Sequence, residues 1–215
     1  MKRTISKENY LKAIAEAQSE GETVIAATLA RWLNVSPPAV TMATRRLKRD
    51  GLIEVAKGGL IHLTEEGRKI ANEILHRHHL IERMLTEVFG MEWYKVHDEA
   101  ERLEHAVSGD FERLLAQKLG SDLPCPHGSL SEIDSPAERR ARGWRTLDEV
   151  EGPAEVSVVS VYERDRDLLE RLHQLNVKPG AKLKLARRGG KGVEFRVGGT
   201  AGQIALDAAR RIWVN

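Results

Sequence analysis

The stretch Asn34-Val-Ser-Pro-Pro-Ala-Val-Thr41 contains a turn and the start of a helix, and the N-terminal part of the 215-residue chain is organised around it. Its first two residues predict a turn. Ser36 is of a residue type that caps helices, and Pro37 suits the first helical position because a proline there loses no hydrogen bond. The predicted helix ends at Gly51.

The segments on either side complete the pattern of a winged helix. Residues 6–19 and 24–33 carry apolar side chains at helical spacing, so two helices are expected before the turn. Residues 52–55 and 60–63 alternate like strands around Lys57-Gly-Gly59, which predicts a hairpin. A helix, a helix–turn–helix and a hairpin in this order indicate a DNA-binding domain.

The helix that follows Ser36 is the predicted recognition helix. A basic helix is often only a solvated surface, but the turn before it and the hairpin after it favour DNA binding. Residues near the start of such a helix face base edges, and its arginines contact phosphates. The predicted DNA-binding residues of this helix include Thr41, Arg45, Arg46 and Lys48.

A second informative stretch is His97-Asp-Glu-Ala-Glu-Arg-Leu-Glu-His105. On a helix its terminal histidines and Glu101 share one face, with Glu104 beside them. His78 and Glu82 repeat the four-residue spacing earlier in the chain. A solvated face is the commoner reason for one such helix, but two helices that each offer histidine and glutamate can converge on a divalent ion. Imidazole and carboxylate ligands suit manganese, iron(II), zinc or nickel.

The chain has one cysteine, Cys125, so it cannot form an internal disulfide. The sequence Cys125-Pro-His127 has two interpretations. The cysteine either has no role in a loop, or its thiolate and the nearby imidazole supply two metal ligands.

The rest of the chain predicts more helices and then strands. Thr64 is expected to cap a long helix that continues to Gly90, and helices are expected near 92–107 and from Ser108 to Gly120. Their wide apolar stripes predict a dimer interface. After a segment rich in proline, glycine and serine, short valine-rich strands and a helix at Leu168–Leu175 predict a small β-barrel.

Composition limits the class of protein. Hydrophobic residues make up 41% of the chain and charged residues 31%, values typical of a soluble globular protein, and the net charge is +2. No apolar run is long enough to span a bilayer, and the N-terminus has no secretory pattern. We therefore expect a cytoplasmic protein without membrane contact.

Five motifs carry a resemblance to a known family. They are Glu8-Asn-Tyr-Leu-Lys-Ala-Ile14, Val35-Ser-Pro-Pro-Ala-Val-Thr41, Leu63-Thr-Glu-Glu-Gly67, Arg77-His-His-Leu-Ile-Glu-Arg83 and Val96-His-Asp-Glu-Ala-Glu-Arg-Leu-Glu-His105. Over essentially its whole length the chain resembles the diphtheria toxin repressor family of metal-dependent transcriptional regulators, in its manganese-sensing branch.

The resemblance implies a mainly α fold with a small β part, divided into four regions. These are a winged-helix DNA-binding domain at 1–73, a helical metal-binding and dimerisation domain at 74–121, a linker at 122–152, and an SH3-like (FeoA-like) β-barrel domain at 153–215.

The resemblance also implies a regulatory metal site at Glu101, Glu104 and His105, with Asn9 from the first helix. Position 101 is a cysteine in the iron-sensing branch and a glutamate in the manganese-sensing branch. Position 9 is usually methionine or aspartate, so Asn9 departs from the pattern, although its amide oxygen can still bind a metal.

A second family site has two versions, and both use Glu82. One adds His78 and His97. The other adds the cysteine and histidine of Cys125-Pro-His127 and an aspartate of the last domain, for which Asp165 is the nearest candidate.

For DNA recognition, the resemblance implies that Ser36, Pro38 and Met42 contact bases. These features predict a homodimeric, manganese-dependent repressor that binds double-stranded operator DNA and controls metal-homeostasis genes. Iron(II) and zinc are the alternative metals. A metalloenzyme with Glu101 or Glu104 as general base is less favoured, because no substrate pocket is evident and the basic helix would be unexplained. A winged-helix regulator that ignores metals is the third possibility. We do not expect an enzyme.

Overall fold

The structure is a computed structural model, and it describes residues 4–121, 123–130 and 134–215. The chain divides into two compact units. The first comprises residues 1–78 and 131–137, and the second comprises residues 79–130 and 138–215.

The first unit begins with three helices, α1 (Ile5–Ser19), α2 (Ala26–Leu33) and α3 (Pro37–Arg49). The predicted turn between α2 and α3 is present, and Asn34 adopts the left-handed conformation with φ 50°. Ser36 occupies the N-cap position of α3 without a side-chain capping bond, so the helix start relies on the adjacent prolines. Contacts of α1 with α2 and α3 complete the three-helix core.

The predicted hairpin follows α3. Its strands β1 (Ile53–Val55) and β2 (Ile61–Leu63) pair antiparallel, with Glu54 opposite His62. Gly58 and Gly59 both have positive φ at its tip. The winged-helix order of elements expected from the sequence is confirmed.

The long helix α4 (Glu65–Arg83) starts where the sequence predicts. The Thr64 hydroxyl accepts a hydrogen bond from the Gly67 amide at 3.1 Å. A Cβ on Gly67 would lie 2.0 Å from the Leu52 carbonyl oxygen, so only glycine fits there. A π-helical turn at Met84–Val88 leads to Gly90, which has φ 67°.

The helix predicted near 92–107 is shorter in the structure. A 3₁₀ turn at Trp93–Lys95 precedes α5 (Val96–Leu103), and beyond the end of α5 Val107 packs against a cluster that includes Leu80 and Ile81. Helix α6 (Gly109–Leu119) follows, and the Ser108 side chain caps it as expected.

The C-terminal part of the second unit is an antiparallel six-stranded sheet of strand order β3-β8-β4-β5-β6-β7. Its elements, with the short helix α7 before them, are α7 (Pro136–Ala141), β3 (Arg145–Thr146), β4 (Ala154–Val161), α8 (Arg166–Gln174), β5 (Lys182–Gly189), β6 (Gly192–Val197), β7 (Thr200–Ile204), α9 (Leu206–Ala209) and β8 (Ile212–Val214). Leu169, Leu183 and Phe195 lie in its buried core. This agrees with the predicted SH3-like domain.

Residues of the predicted linker 122–152 take part in the fold. Residue 122 and residues 131–133 lie outside the described residues. Strand β3 pairs with β8, and Leu147 and Val150 lie in the core of the sheet domain. The side chains of Leu147 and Val150 are covered only when the neighbouring strand is in place. The composition of the segment did not predict this burial. The predicted four-part division stays a prediction.

Within the described part of the chain, every helix is too short or too polar to cross a membrane.

Candidate metal centre and nucleic-acid interface

A tight loop after α6 presents the two side chains of the Cys-Pro-His sequence. The Cys125 amide donates to the Ser129 carbonyl at 2.9 Å, and the Gly128 amide donates to the Cys125 carbonyl at 2.8 Å. The loop is fixed to β4 because the Val161 amide donates to the His127 carbonyl at 2.9 Å. Cys125 and His127 are therefore held beside the residues that follow β4.

Five potential metal ligands converge at this loop. His79 and Glu82 of α4, Cys125, and Glu163 each offer one atom within 4.8 Å of the others. His127 Nδ1 lies 3.3 Å from Glu82 Oε1 and 3.7 Å from Glu163 Oε2. Four of the five are buried, and the side chain of Glu163 is only 11% exposed. We call these five residues the Cys125 cluster.

His97 of α5 lies between the Cys125 cluster and Glu101. Its Nδ1 is 3.4 Å from Glu82 Oε1 and 3.9 Å from Glu163 Oε1. Its other ring nitrogen, Nε2, is 3.7 Å from Glu101 Oε1.

The electrostatics of the cluster follow from its burial. Burial raises the pKa of the Cys125 thiol well above its ordinary range, and the charges of Glu82 and Glu163 raise it further. Burial and the Glu82 charge also raise the pKa of Glu163, but the surrounding imidazoles lower it by more, so its pKa is below its ordinary value. Without a metal the thiol holds its proton, while Glu163 is a carboxylate.

This donor set fits a divalent transition metal. Buried carboxylates are costly unless a cation accompanies them. Thiolate, imidazole and carboxylate together suit zinc, iron(II) or cobalt, whereas calcium and magnesium prefer oxygen ligands alone.

The carboxylate that the segment after β4 contributes to the cluster belongs to Glu163, whereas the family resemblance named Asp165 as the nearest candidate. Asp165 accepts a hydrogen bond from the Leu168 amide at 2.9 Å as the N-cap of α8, and it forms an ion pair with Arg211 at 2.6 Å. The carboxylate of Asp165 is therefore engaged with the start of a helix.

His79 is a candidate that the sequence reasoning left out. It lies three residues before Glu82, and residues three apart are neighbours on a helix. That spacing was the available signal.

The residues of the other version of the second site are divided between the two units. His78 is buried in the first unit, where its Nδ1 lies 3.0 Å from Lys12 Nζ. Glu82 and His97 belong to the second unit. The set of His78, Glu82 and His97 stays a prediction.

The predicted regulatory residues lie at the end of α5. Glu104 is buried and its Oε1 lies 3.4 Å from His105 Nε2, whereas Glu101 is 40% exposed and its Oε1 accepts a hydrogen bond from Arg164 Nη1 at 3.0 Å. Helix α5 ends before His105, so the uninterrupted helical stripe expected from the sequence is not formed. Among the described residues, these three side chains do not converge on one point.

Asn9 lies on α1 in the first unit, where it is partly buried. Its part in the regulatory site stays a prediction.

Helix α3 exposes the predicted DNA-binding face. Val40, Ala43 and Leu47 are buried on its inner side, which packs against α2 and β1. The exposed residues include all seven predicted DNA contacts, Ser36, Pro38, Thr41, Met42, Arg45, Arg46 and Lys48. Met42 is 62% exposed, which suits contact with a partner better than a role in the core.

Three family profiles cover most of the chain. Residues 3–60 match the N-terminal DNA-binding domain of iron-dependent repressors, and residues 64–131 match their metal-binding and dimerisation domain. Residues 145–215 match the FeoA domain.

Similar proteins include curated repressors and solved structures. The iron-dependent repressor IdeR of Mycobacterium tuberculosis is 34% identical over 203 residues, which cover 89% of this chain and 88% of IdeR. The diphtheria toxin repressor of Corynebacterium diphtheriae is 32% identical, with 85% of each chain covered. A structure described as a manganese-dependent transcriptional repressor in complex with manganese has a TM-score of 0.85 at 29% identity, covering 97% of this chain and 98% of the other.

Proposed function

Because the chain belongs to the diphtheria toxin repressor family of metal-dependent DNA-binding repressors, we propose that it is a homodimer that represses transcription when manganese is plentiful. Members of this family are transcriptional repressors and not enzymes.

The observation that carries metal dependence is the buried Cys125 cluster. It places ligand atoms of His79, Glu82, Cys125 and Glu163 within 4.8 Å of one another in the interior of the second unit. A fold gains little from two buried carboxylates beside a thiol unless an ion joins them.

Manganese is the proposed signal because of the donors at the regulatory site. Glu101, Glu104 and His105 offer oxygen and nitrogen without sulfur, and manganese prefers carboxylate oxygen to thiolate. The neutral amide of Asn9 makes the proposed ligand set less anionic than an aspartate would, so we expect modest manganese affinity. Similar proteins support either manganese or iron as the signal, since IdeR is described as iron-dependent and other neighbours as manganese-dependent.

Zinc or iron(II) is the second candidate, and the thiol of Cys125 favours it. A softer ion in the Cys125 cluster is compatible with manganese at Glu101, in which case the two sites hold different metals.

Repression follows from the coupling of metal and DNA binding. We propose that the ion stabilises the conformers in which the α3 helices of the two subunits are spaced to enter successive major grooves, about one helical turn of DNA apart. Thermodynamic linkage then requires that operator DNA tighten metal binding by the same factor.

The test is operator binding as a function of metal. DNA fragments retained by the protein with manganese would be sequenced, and one fragment titrated with manganese, iron(II), zinc and cobalt. We expect manganese to tighten binding and Glu101→Ala to abolish that response. Glu99→Ala is the matched control, because Glu99 also lies on α5 but forms an ion pair with Arg102.

Three results would contradict this proposal. DNA binding that ignores every metal would indicate a metal-independent regulator, and a normal manganese response in Glu101→Ala would remove Glu101 from the site. If only zinc or iron(II) tightened DNA binding, that metal and not manganese would be the signal.

A further inference from the structure

We propose that Arg164 is an internal competitor of the regulatory metal, because its guanidinium holds the Glu101 carboxylate that the ion must bind. This inference rests on the proposed function, since it assumes that Glu101 is a ligand. It adds a residue that sets how much metal is needed for repression.

The contact is direct. Arg164 Nη1 donates to Glu101 Oε1 at 3.0 Å, and the same oxygen lies 3.7 Å from His97 Nε2. The side chain of Arg164 is 20% exposed, so it lies largely within the fold. A divalent ion at this oxygen would meet a guanidinium at close range, and like charges at such distances repel. The guanidinium therefore has to move away before the ion binds.

The position of Arg164 is set by both of its chain neighbours. Glu163 directs its carboxylate into the Cys125 cluster, with Oε2 3.7 Å from His127 Nδ1. Asp165 caps α8 and forms an ion pair with Arg211. With the residues before and after it fixed, Arg164 starts from a defined backbone position, which lowers the entropy cost of its pairing with Glu101.

An ordinary surface ion pair is the competing explanation, and such pairs contribute little to stability. The chain offers a matched example. Arg166 Nη1 lies 3.7 Å from Asp98 Oδ2, so it joins the same segment to the same helix α5. Asp98 is not among the proposed ligands, and loss of Arg166 removes the same charge without freeing a ligand.

The experiment measures manganese affinity by calorimetry on the full-length protein and its Arg164→Gln, Arg164→Lys and Arg166→Gln variants. Removal of a partly exposed ion pair should tighten manganese binding about fivefold in Arg164→Gln. Arg164→Lys, which keeps the charge, should stay near the parent protein, and so should Arg166→Gln. Circular dichroism confirms that each variant is folded.

Combining Arg164→Gln with Glu101→Ala distinguishes competition for the Glu101 carboxylate from a general structural effect of the substitution. In Glu101→Ala the contested carboxylate is absent, so adding Arg164→Gln should give no further gain in manganese affinity. A gain of equal size in that background would overturn the proposal.

The remaining outcomes are also decisive. The role of Arg164 would be overturned if the Arg164→Gln variant bound manganese with the same affinity as Arg166→Gln, or more weakly than the parent protein. Neither result would contradict the proposed function. If Glu101→Ala itself binds manganese like the parent, the proposed function fails at this residue, and the inference about Arg164 fails with it.

Discussion

At the scale of single residues, the metal chemistry depends on which carboxylate faces the cluster. Glu163 and Asp165 are two residues apart, yet only Glu163 lies within reach of Cys125 and His127. Asp165 is occupied at the start of α8. Glu163 and Asp165 therefore allow a comparison between a proposed metal ligand and a nearby acidic residue that caps a helix.

We predict that Glu163→Gln weakens zinc binding to the Cys125 cluster by at least about tenfold, because it removes a ligand. Asp165→Asn should leave zinc affinity unchanged, since asparagine caps helices as well as aspartate does. Calorimetry with zinc on both variants measures the difference. The reverse order of effects would show that Asp165 is the ligand.

The raised pKa of Cys125 predicts a dependence on pH. A metal binds the thiolate, so binding must displace the proton that burial holds on the thiol. Affinity should therefore rise with pH, by up to about tenfold per pH unit for one released proton, until the pH exceeds the pKa of the thiol. Zinc titrations between about pH 7 and 9, above the ordinary histidine range, measure this slope.

Cys125→Ala is the control for the pH prediction. Without the thiol the slope should become shallower. The explanation would be wrong if the variant and the parent showed the same slope.

At the scale of elements, the 125–129 loop decides whether the cluster forms. Gly128 has φ 87°, and a Cβ there would lie 2.0 Å from the Val159 carbonyl oxygen of β4. Such proximity lets the loop lie directly on the strand that precedes Glu163.

Gly128→Ala should push the loop off β4, which lowers both stability and metal affinity. Gly143→Ala is the matched control, because Gly143 has φ 85° but open space where a Cβ would be. Left-handed strain alone costs about 1 kcal/mol, so denaturant unfolding should show a larger loss for Gly128→Ala. Equal losses, with zinc affinity intact, would mean that the close contact with β4 does not matter.

The exposed arginines of helix α3 lead to a separate prediction about DNA binding. Arg45 and Arg46 are exposed on the helix, and phosphate contacts are independent of sequence. Arg45→Ala and Arg46→Ala should weaken operator and random DNA alike, and each should reduce the salt slope by about one. Arg113→Ala on α6 serves as the control. A change of base preference with an unchanged salt slope would assign these arginines to bases.

At the scale of the whole molecule, the family implies a dimer, and α6 offers an apolar surface for it. Phe111 and Leu114 lie three residues apart on that helix and are 42% and 60% exposed. An exposed apolar face of this kind is typical of a surface that a partner covers.

Leu114→Asp should weaken the homodimer by about tenfold or more, because it places a charge in an apolar contact. Val55→Asp on the hairpin, where Val55 is 37% exposed, should not change association. Sedimentation equilibrium distinguishes the two. Equal dimer stability in both variants would place the interface away from Leu114.

The sequence alone predicted most of the architecture, because the determining forces are local. Helix caps, positive-φ glycines and hydrophobic periodicity act within a few residues, so α1 to α4 and the hairpin were found close to their observed bounds. The short valine-rich strands predicted the sheet domain, and the family resemblance identified it as SH3-like. The exposed residues of α3 were also predicted, since the helical period separates them from Val40, Ala43 and Leu47.

The tertiary structure determined the features of the molecule that hydrophobic periodicity does not predict. Helix α5 stops at Leu103, and Val107 beyond it packs against a cluster that includes Leu80 and Ile81. Arg145 and Thr146 pair with the distant strand β8, and Leu147 and Val150 lie in the core of the sheet domain. The Cys125 cluster joins α4, a loop and the end of β4, and the choice of Glu163 over Asp165 depends on which side chain a helix start engages. The ion pair between Arg164 and Glu101 links residues 63 positions apart. A local pattern cannot indicate such a contact, because it arises only when packing brings distant segments together.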